Sequence, residues 1–240
     1  MNYPITQKYI KYNRSYAKLA PSGMVLHDTD TKGATDQNEQ DYFNKGIRLA
    51  AAHAFIDWDS ITETVPLDEQ AWHAGGTANH SMLGVELCVP AAHNPVQFQE
   101  VWNRAVWYFA HCFINTIRVN TITKDNLMSH AEVSAKWHET DHQDPIVYFA
   151  EYGKTVNQFR SEVQKEINNL VEDLEMKKIV TYLGDSDLFA AVLVSQKNSC
   201  PLMKKADFDA SGLKADQVIA VGGKPNSTRF STFKDAAALV

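Results

Sequence analysis

Between residues 96 and 117, apolar side chains recur at Phe98, Trp102, Ala105, Phe109, Cys112 or Phe113 and Ile117. That is the spacing of one helix face, and Asn94-Pro95 marks its start. A helix this long must bury its stripe against other apolar surface. A second stripe, Val156, Phe159, Val163, Ile167, Leu170 and Leu174, predicts a helix over 155–174. Shorter runs stand before these helices. Met24-Val-Leu26 is an apolar run ending in His27. Residues 53–58 predict a strand with Asp59-Ser60 as its turn, and 84–89 predict another, stopped by Pro90. Phe43, Ile47 and Ala50 or Ala51 suggest a helix over 40–52. Strands alternating with helices define an α/β fold.

The tail repeats the pattern on a smaller scale. It predicts a strand over 178–183, a turn at Gly184-Asp-Ser-Asp187 carrying an N-cap, a helix over 188–196 and a short strand or loop over 200–203. A strand over 218–221, ended by Gly222-Gly223, and a helix over 231–239 complete it. The expected organisation is a first domain over 1–170, a charged linker over 171–177 and a smaller α/β module over 178–240. Charge divides similarly: 14 basic and 20 acidic side chains precede residue 171, and 9 of each follow. With a net charge of −6 and no basic run, nucleic acid is not an expected partner. No apolar run reaches the ~20 residues of a membrane span, so no membrane insertion is expected. The start lacks the pattern of a signal peptide. Cys88, Cys112 and Cys200 have no paired spacing and read as buried free thiols.

The stretch Ser129-His-Ala-Glu-Val-Ser-Ala-Lys-Trp-His-Glu-Thr-Asp-His-Gln-Asp-Pro145 gathers three histidines and four carboxylates. Zinc in a catalytic site takes about three such ligands and keeps a position open. His27 and His130 project from strand or loop edges. A third ligand would come from the loop after His130, where His138, Asp141, His142 and Asp144 all remain candidates by spacing.

Five ordered segments add a family resemblance. They are Met24-Val-Leu-His-Asp-Thr29, Ala52-His-Ala-Phe-Ile-Asp-Trp-Asp59, Gln70-Ala-Trp-His-Ala-Gly75, Ser81-Met-Leu-Gly-Val-Glu-Leu87 and the histidine-rich stretch. Together residues 20–150 resemble zinc-dependent N-acetylmuramoyl-L-alanine amidases of the amidase-2 type, the superfamily of peptidoglycan-recognition proteins and T7-lysozyme-like phage enzymes. The resemblance implies a mixed central sheet flanked by helices. It implies zinc held by His27, His130 and Asp144, the last chosen because it directly precedes a proline. Glu86 stands where the family places its general base. His142 stands where many relatives carry a lysine that stabilises developing negative charge, and would be a pH-sensitive replacement for it. Trp72, His73 and Asn79 are expected at the substrate, whereas His53 reads as structural.

The tail, 176–240, resembles the wall-binding domains of clostridial phage endolysins, with Gly184–Asp187 and Gly222–Arg229 as binding loops for a secondary wall polymer. Such an enzyme would cut bacterial peptidoglycan after leaving the host cytoplasm through an opened, holin-permeabilised membrane. Self-association through the tail is expected, with a shorter product starting at Met176 as its companion.

Overall fold

The computed structural model describes residues 2–47, 49–223 and 229–239. The chain divides into two units, residues 1–168 and 169–240. In chain order the first contains β1 (Thr6–Gln7), β2 (Gly23–Asp28), α1 (Asp36–Phe43), β3 (Ala54–Ile56), β4 (Ile61–Glu63) and α2 (Gly76–Asn79). There follow β5 (Met82–Leu87), α3 (Pro95–Cys112), a π-helical turn (Phe113–Ile117), β6 (Leu127–Ser129), α4 (His130–Trp137), α5 (Ile146–Glu151) and α6 (Val156–Leu174), which continues past the division at 168. The strands form one mixed sheet in the order β1-β4-β3-β5-β2-β6. Every neighbouring pair is parallel except the β3–β4 hairpin.

Local chemistry explains these elements. Five consecutive residues of β2, Gly23 to His27, are buried, as befits an interior parallel strand covered on both faces. The β3–β4 turn is tied by Asp57, whose Oδ1 accepts the N–H groups of Asp59 and Ser60 at 2.7 Å each. Asn94 caps α3 by accepting the Gln97 N–H, and Pro95 occupies the first turn, where a missing N–H has no cost. The α3 stripe is buried as expected, and Trp102 meets Phe159 of α6 edge-on at 5.2 Å between ring centres. Burying such a side chain contributes on the order of 2–3 kcal/mol.

Two expectations are corrected. The helix read over 40–52 lies at Asp36–Phe43, because Thr35 and Asn38 form a capping box and Gly46, at φ +70°, follows its end. Ile47 and Leu49 are then exposed loop residues. The histidine-rich stretch is not all loop: its first eight residues after Ser129 form α4. In the stretch read as a charged linker, 171–177, α6 runs to Leu174 and β7 (Glu175–Tyr182) starts at once. The stretch contains charges but no glycine or proline to break the chain.

The second unit continues with α7 (Leu188–Asn198), β8 (Leu202–Lys204), α8 (Lys205–Ser211), β9 (Lys214–Val221) and α9 (Arg229–Ala237). Its sheet is parallel, in the order β8-β7-β9. Val180, Ala190, Ala191, Val194, Val221 and Ala236 form its core. Asp187 precedes α7, but its carboxylate accepts from the Gly184 N–H and the Thr232 hydroxyl, both at 3.2 Å, instead of capping the helix. Most of the expected polymer-binding loop, residues 224–228, lies outside the described residues. Cys88 and Cys112 are buried free thiols and Cys200 is a half-buried one. Among the described residues no helix is long and apolar enough to cross a membrane.

Candidate active site

β5, β2 and β6 lie side by side and parallel, so residues at one level of the sheet point to the same face. The register pairs His27 with Glu86 and Leu26 with Ser129. It therefore sets His27, Glu86 and His130 in a row where the three strands end, the edge at which α/β sheets present their ligand crevices. A cleft of about 910 Å³ opens there. Its lining includes His27, Asp28, Glu86, His130, His142 and Asp144, together with Asn38, Glu39 and Tyr42 of α1 and Trp72.

His130 owes its place to a capping box. Ser129 Oγ accepts the Glu132 N–H at 3.2 Å, and Glu132 Oε2 accepts the Ser129 N–H at 2.9 Å, so α4 begins directly after β6. Buried Arg160 of α6 pairs with the same Glu132 and donates to the Leu127 carbonyl at 2.8 Å, clamping the end of β6.

His27 Nδ1 lies 3.1 Å from Asp144 Oδ2, and His130 Nδ1 lies 3.1 Å from Asp144 Oδ1. One ligand atom from each of His27, His130 and Asp144 falls within 4.8 Å of the others. Two imidazole nitrogens and a carboxylate oxygen at this mutual distance fit a zinc ion with a position left open. Burial favours the neutral imidazole of His27, the form that binds a metal, and outweighs the pull of Asp144. Burial alone would raise the Asp144 carboxyl, but the His130 and His27 rings beside it prevail and hold it well below the usual carboxylate range.

The rival third ligands separate in space. His138 caps α4 in the left-handed conformation and is exposed, and Asp141 is exposed; neither lines the cleft. His142 stacks face to face on His130, 4.6 Å between centres, with Nδ1 3.6 Å from Asp144 Oδ1. Its side chain is 56 % exposed, so it stands at the rim. Trp72 is 38 % exposed on the cleft wall, so it is not a core tryptophan. Asn79 is not part of the lining: its side-chain carbonyl accepts the N–H groups of His73 and Ala74 at 2.9 Å each and holds that loop. His73 lines the cleft, but its ring nitrogens face His27 Nε2 and the Met82 carbonyl, each at 3.1 Å.

Two groups escape the sequence reading. Thr140 Oγ1 lies 3.1 Å from His130 Nε2 and is itself bonded to Ser134 Oγ at 2.6 Å. Nothing in a polar loop sequence distinguishes this threonine. Asp28 lines the cleft, and burial pushes its carboxyl up to about 7. Its position next to His27 was the available signal.

A family model described as N-acetylmuramoyl-L-alanine amidase matches residues 17–146, more than half of the chain. The chain belongs to the N-acetylmuramoyl-L-alanine amidase family. Among its relatives, Protein Ami of Listeria monocytogenes is 27 % identical over 177 residues, covering 71 % of this chain and 19 % of that protein. The bifunctional autolysin of Staphylococcus aureus is 28 % identical over 162 residues, covering 64 % of this chain and 13 % of its own length. This amidase-family chain thus spans less than a fifth of the curated relatives it matches. The crystal structure of the Staphylococcus aureus hydrolase AmiA in complex with its ligand is similar at a TM-score of 0.64 and 25 % identity. That match covers 72 % of this chain and 87 % of AmiA. The mixed sheet is the family's fold.

Proposed function

We propose that this chain is a zinc-dependent peptidoglycan hydrolase of the endolysin kind, cutting the amide between N-acetylmuramic acid and the L-alanine of the stem peptide. One observation carries the reading: the ligand atoms of His27, His130 and Asp144 converge within 4.8 Å at the strand edge where the sheet register sets Glu86 beside His27. Those three residues would hold the ion. When bound, zinc supplies Lewis acidity, polarising the scissile carbonyl and lowering the pKa of water at the site to about 7.

The remaining work falls to the protein's own side chains. Glu86 acts as general base, accepting the attacking water's proton and passing it to the departing nitrogen. His142, at the rim, donates a ring N–H to the oxyanion that forms on the carbonyl, a contact of a kind worth about 2.7–4 kcal/mol. Trp72 offers an aromatic wall to the substrate. The second unit holds the enzyme to a secondary wall polymer and self-associates, with a product starting at Met176 as its companion; the enzyme leaves the host cytoplasm when the membrane opens.

Digestion of purified peptidoglycan with and without a chelator tests the activity. The expected products are new N-terminal alanine without new reducing sugar ends, abolished by the chelator and restored by zinc. New reducing ends would mean a glycosidase, and no products at all would mean a binding module.

A further inference from the structure

We propose that His73 is a positioning residue: it fixes the tautomer of His27, so that the His27 Nδ1 lone pair faces Asp144 and His130. The inference rests on the reading of these three residues as a metal centre. His73 Nε2 lies 3.1 Å from the Met82 carbonyl oxygen, which can only accept, so Nε2 carries the ring proton. In the neutral ring Nδ1 is then an acceptor. It lies 3.1 Å from His27 Nε2, with the two rings nearly perpendicular at 87°. A proton on His27 Nε2 pairs with that acceptor and leaves the other nitrogen, 3.1 Å from Asp144 Oδ2, free for a metal.

Without this relay, Asp144 would favour the opposite tautomer, with the proton on Nδ1 in the place a metal needs. The two demands compete for one proton, and the acceptor nitrogen of His73 is what favours Nε2. His130 has the same arrangement, Nδ1 toward Asp144 and Nε2 toward Thr140 at 3.1 Å. Outer partners of this kind orient metal-binding imidazoles generally.

The seat for His73 is built for a ring. A methyl group on Gly84 would lie 2.3 Å from His73 Cγ, so only glycine on β5 admits the imidazole at this depth. From the loop side, Asn79 fixes the backbone at His73 and Ala74, 2.9 Å from each N–H. Strand and loop thus both define the seat of the ring beside His27.

The test uses the full chain and two readouts other than turnover. Nitrogen-15 spectra of the histidine rings in metal-free protein at about pH 8, where ordinary imidazoles are neutral, report the tautomer directly. His27 is expected as the Nε2–H form in the wild type and as the Nδ1–H form in His73→Phe, which keeps a ring but no nitrogens. Zinc affinity by competition with a chromogenic chelator is expected to fall about 10–100-fold in His73→Phe. His73→Gln, whose amide can both accept and donate, is expected to recover most of it. Finding His27 as Nδ1–H in the unsubstituted protein, or His73→Phe with unaltered zinc affinity and unaltered His27 signals, would overturn the proposal. If the wild type bound no zinc, the metal-centre reading would fall, while the nitrogen spectra would still decide whether His73 sets the tautomer.

Discussion

His27 and His53 are both fully buried imidazoles, yet their partners give them different work. His53 accepts the Gly84 N–H at Nδ1 and donates from Nε2 to the Glu69 carbonyl, both at 2.9 Å, so neither nitrogen is left for a ligand. A second proton, on Nδ1, would set one N–H against another. Burial pushes its pKa down to about 4. The sign follows from linkage: above pH ~6.5 both folded and unfolded His53 are neutral, and between ~6.5 and 4 only the unfolded chain takes up a proton. Acidification across that window should therefore remove about 3 kcal/mol of stability through this residue alone. Urea unfolding at several pH values checks it. His53→Gln should be weaker at neutral pH but show a shallower acid slope, and equal slopes would show that His53 carries none of the acid sensitivity.

At the scale of elements, α1 is where local chemistry overrode apolar spacing. The stripe Phe43, Ile47, Ala50 suggested a helix centred well downstream, but the Thr35–Asn38 box decides where it begins. Since α1 supplies Asn38, Glu39 and Tyr42 to the cleft, its cap also shapes the cleft lining. Thr35→Ala should cost about 1 kcal/mol, and Thr35→Ser much less, measured by urea unfolding. No difference between the two would mean the cap contributes nothing. The same contrast explains what was legible. α3 and α6 could be read because their stripes are long and buried, whereas α8 buries no residue and so leaves no stripe. The first half of β9, with Lys214, Asp216 and Gln217, looks like a loop and is a strand only because β7 pairs with it. The site follows the same rule. His27 and Glu86 were found through ordered motifs, but the register that makes them neighbours is a contact between residues far apart in sequence. Asp144 could not be told from Asp141 by spacing, and the role of His73 depends on a carbonyl, Met82, that no side-chain pattern encodes.

Each of the two units carries its own core, and the cores differ greatly in size. The largest fully buried side chains, among them Trp102, Tyr108, Phe55, Phe109 and Phe149, all belong to residues 1–168. Among the described residues of the second unit, the buried apolar set is Ile179, Val180, Ala190, Ala191, Val194, Val221 and Ala236, three of them alanines. A domain of that size with so few buried methyl groups has little stability in reserve, about 3–5 kcal/mol at most. Unfolding should therefore proceed in two steps, the second unit first. The sequence supplies a way to see it: all five tryptophans lie in the first unit, whereas backbone circular dichroism senses both. Tryptophan fluorescence should follow one late transition in urea, and circular dichroism an early and a late one. Ile179→Ala, which costs about 2–5 kcal/mol when a buried isoleucine is truncated, should abolish the early step by leaving the second unit unfolded without denaturant, with the fluorescence midpoint unmoved. Trp102→Ala should shift the late step alone. A single transition common to both probes, displaced by either substitution, would mean that the two cores unfold as one.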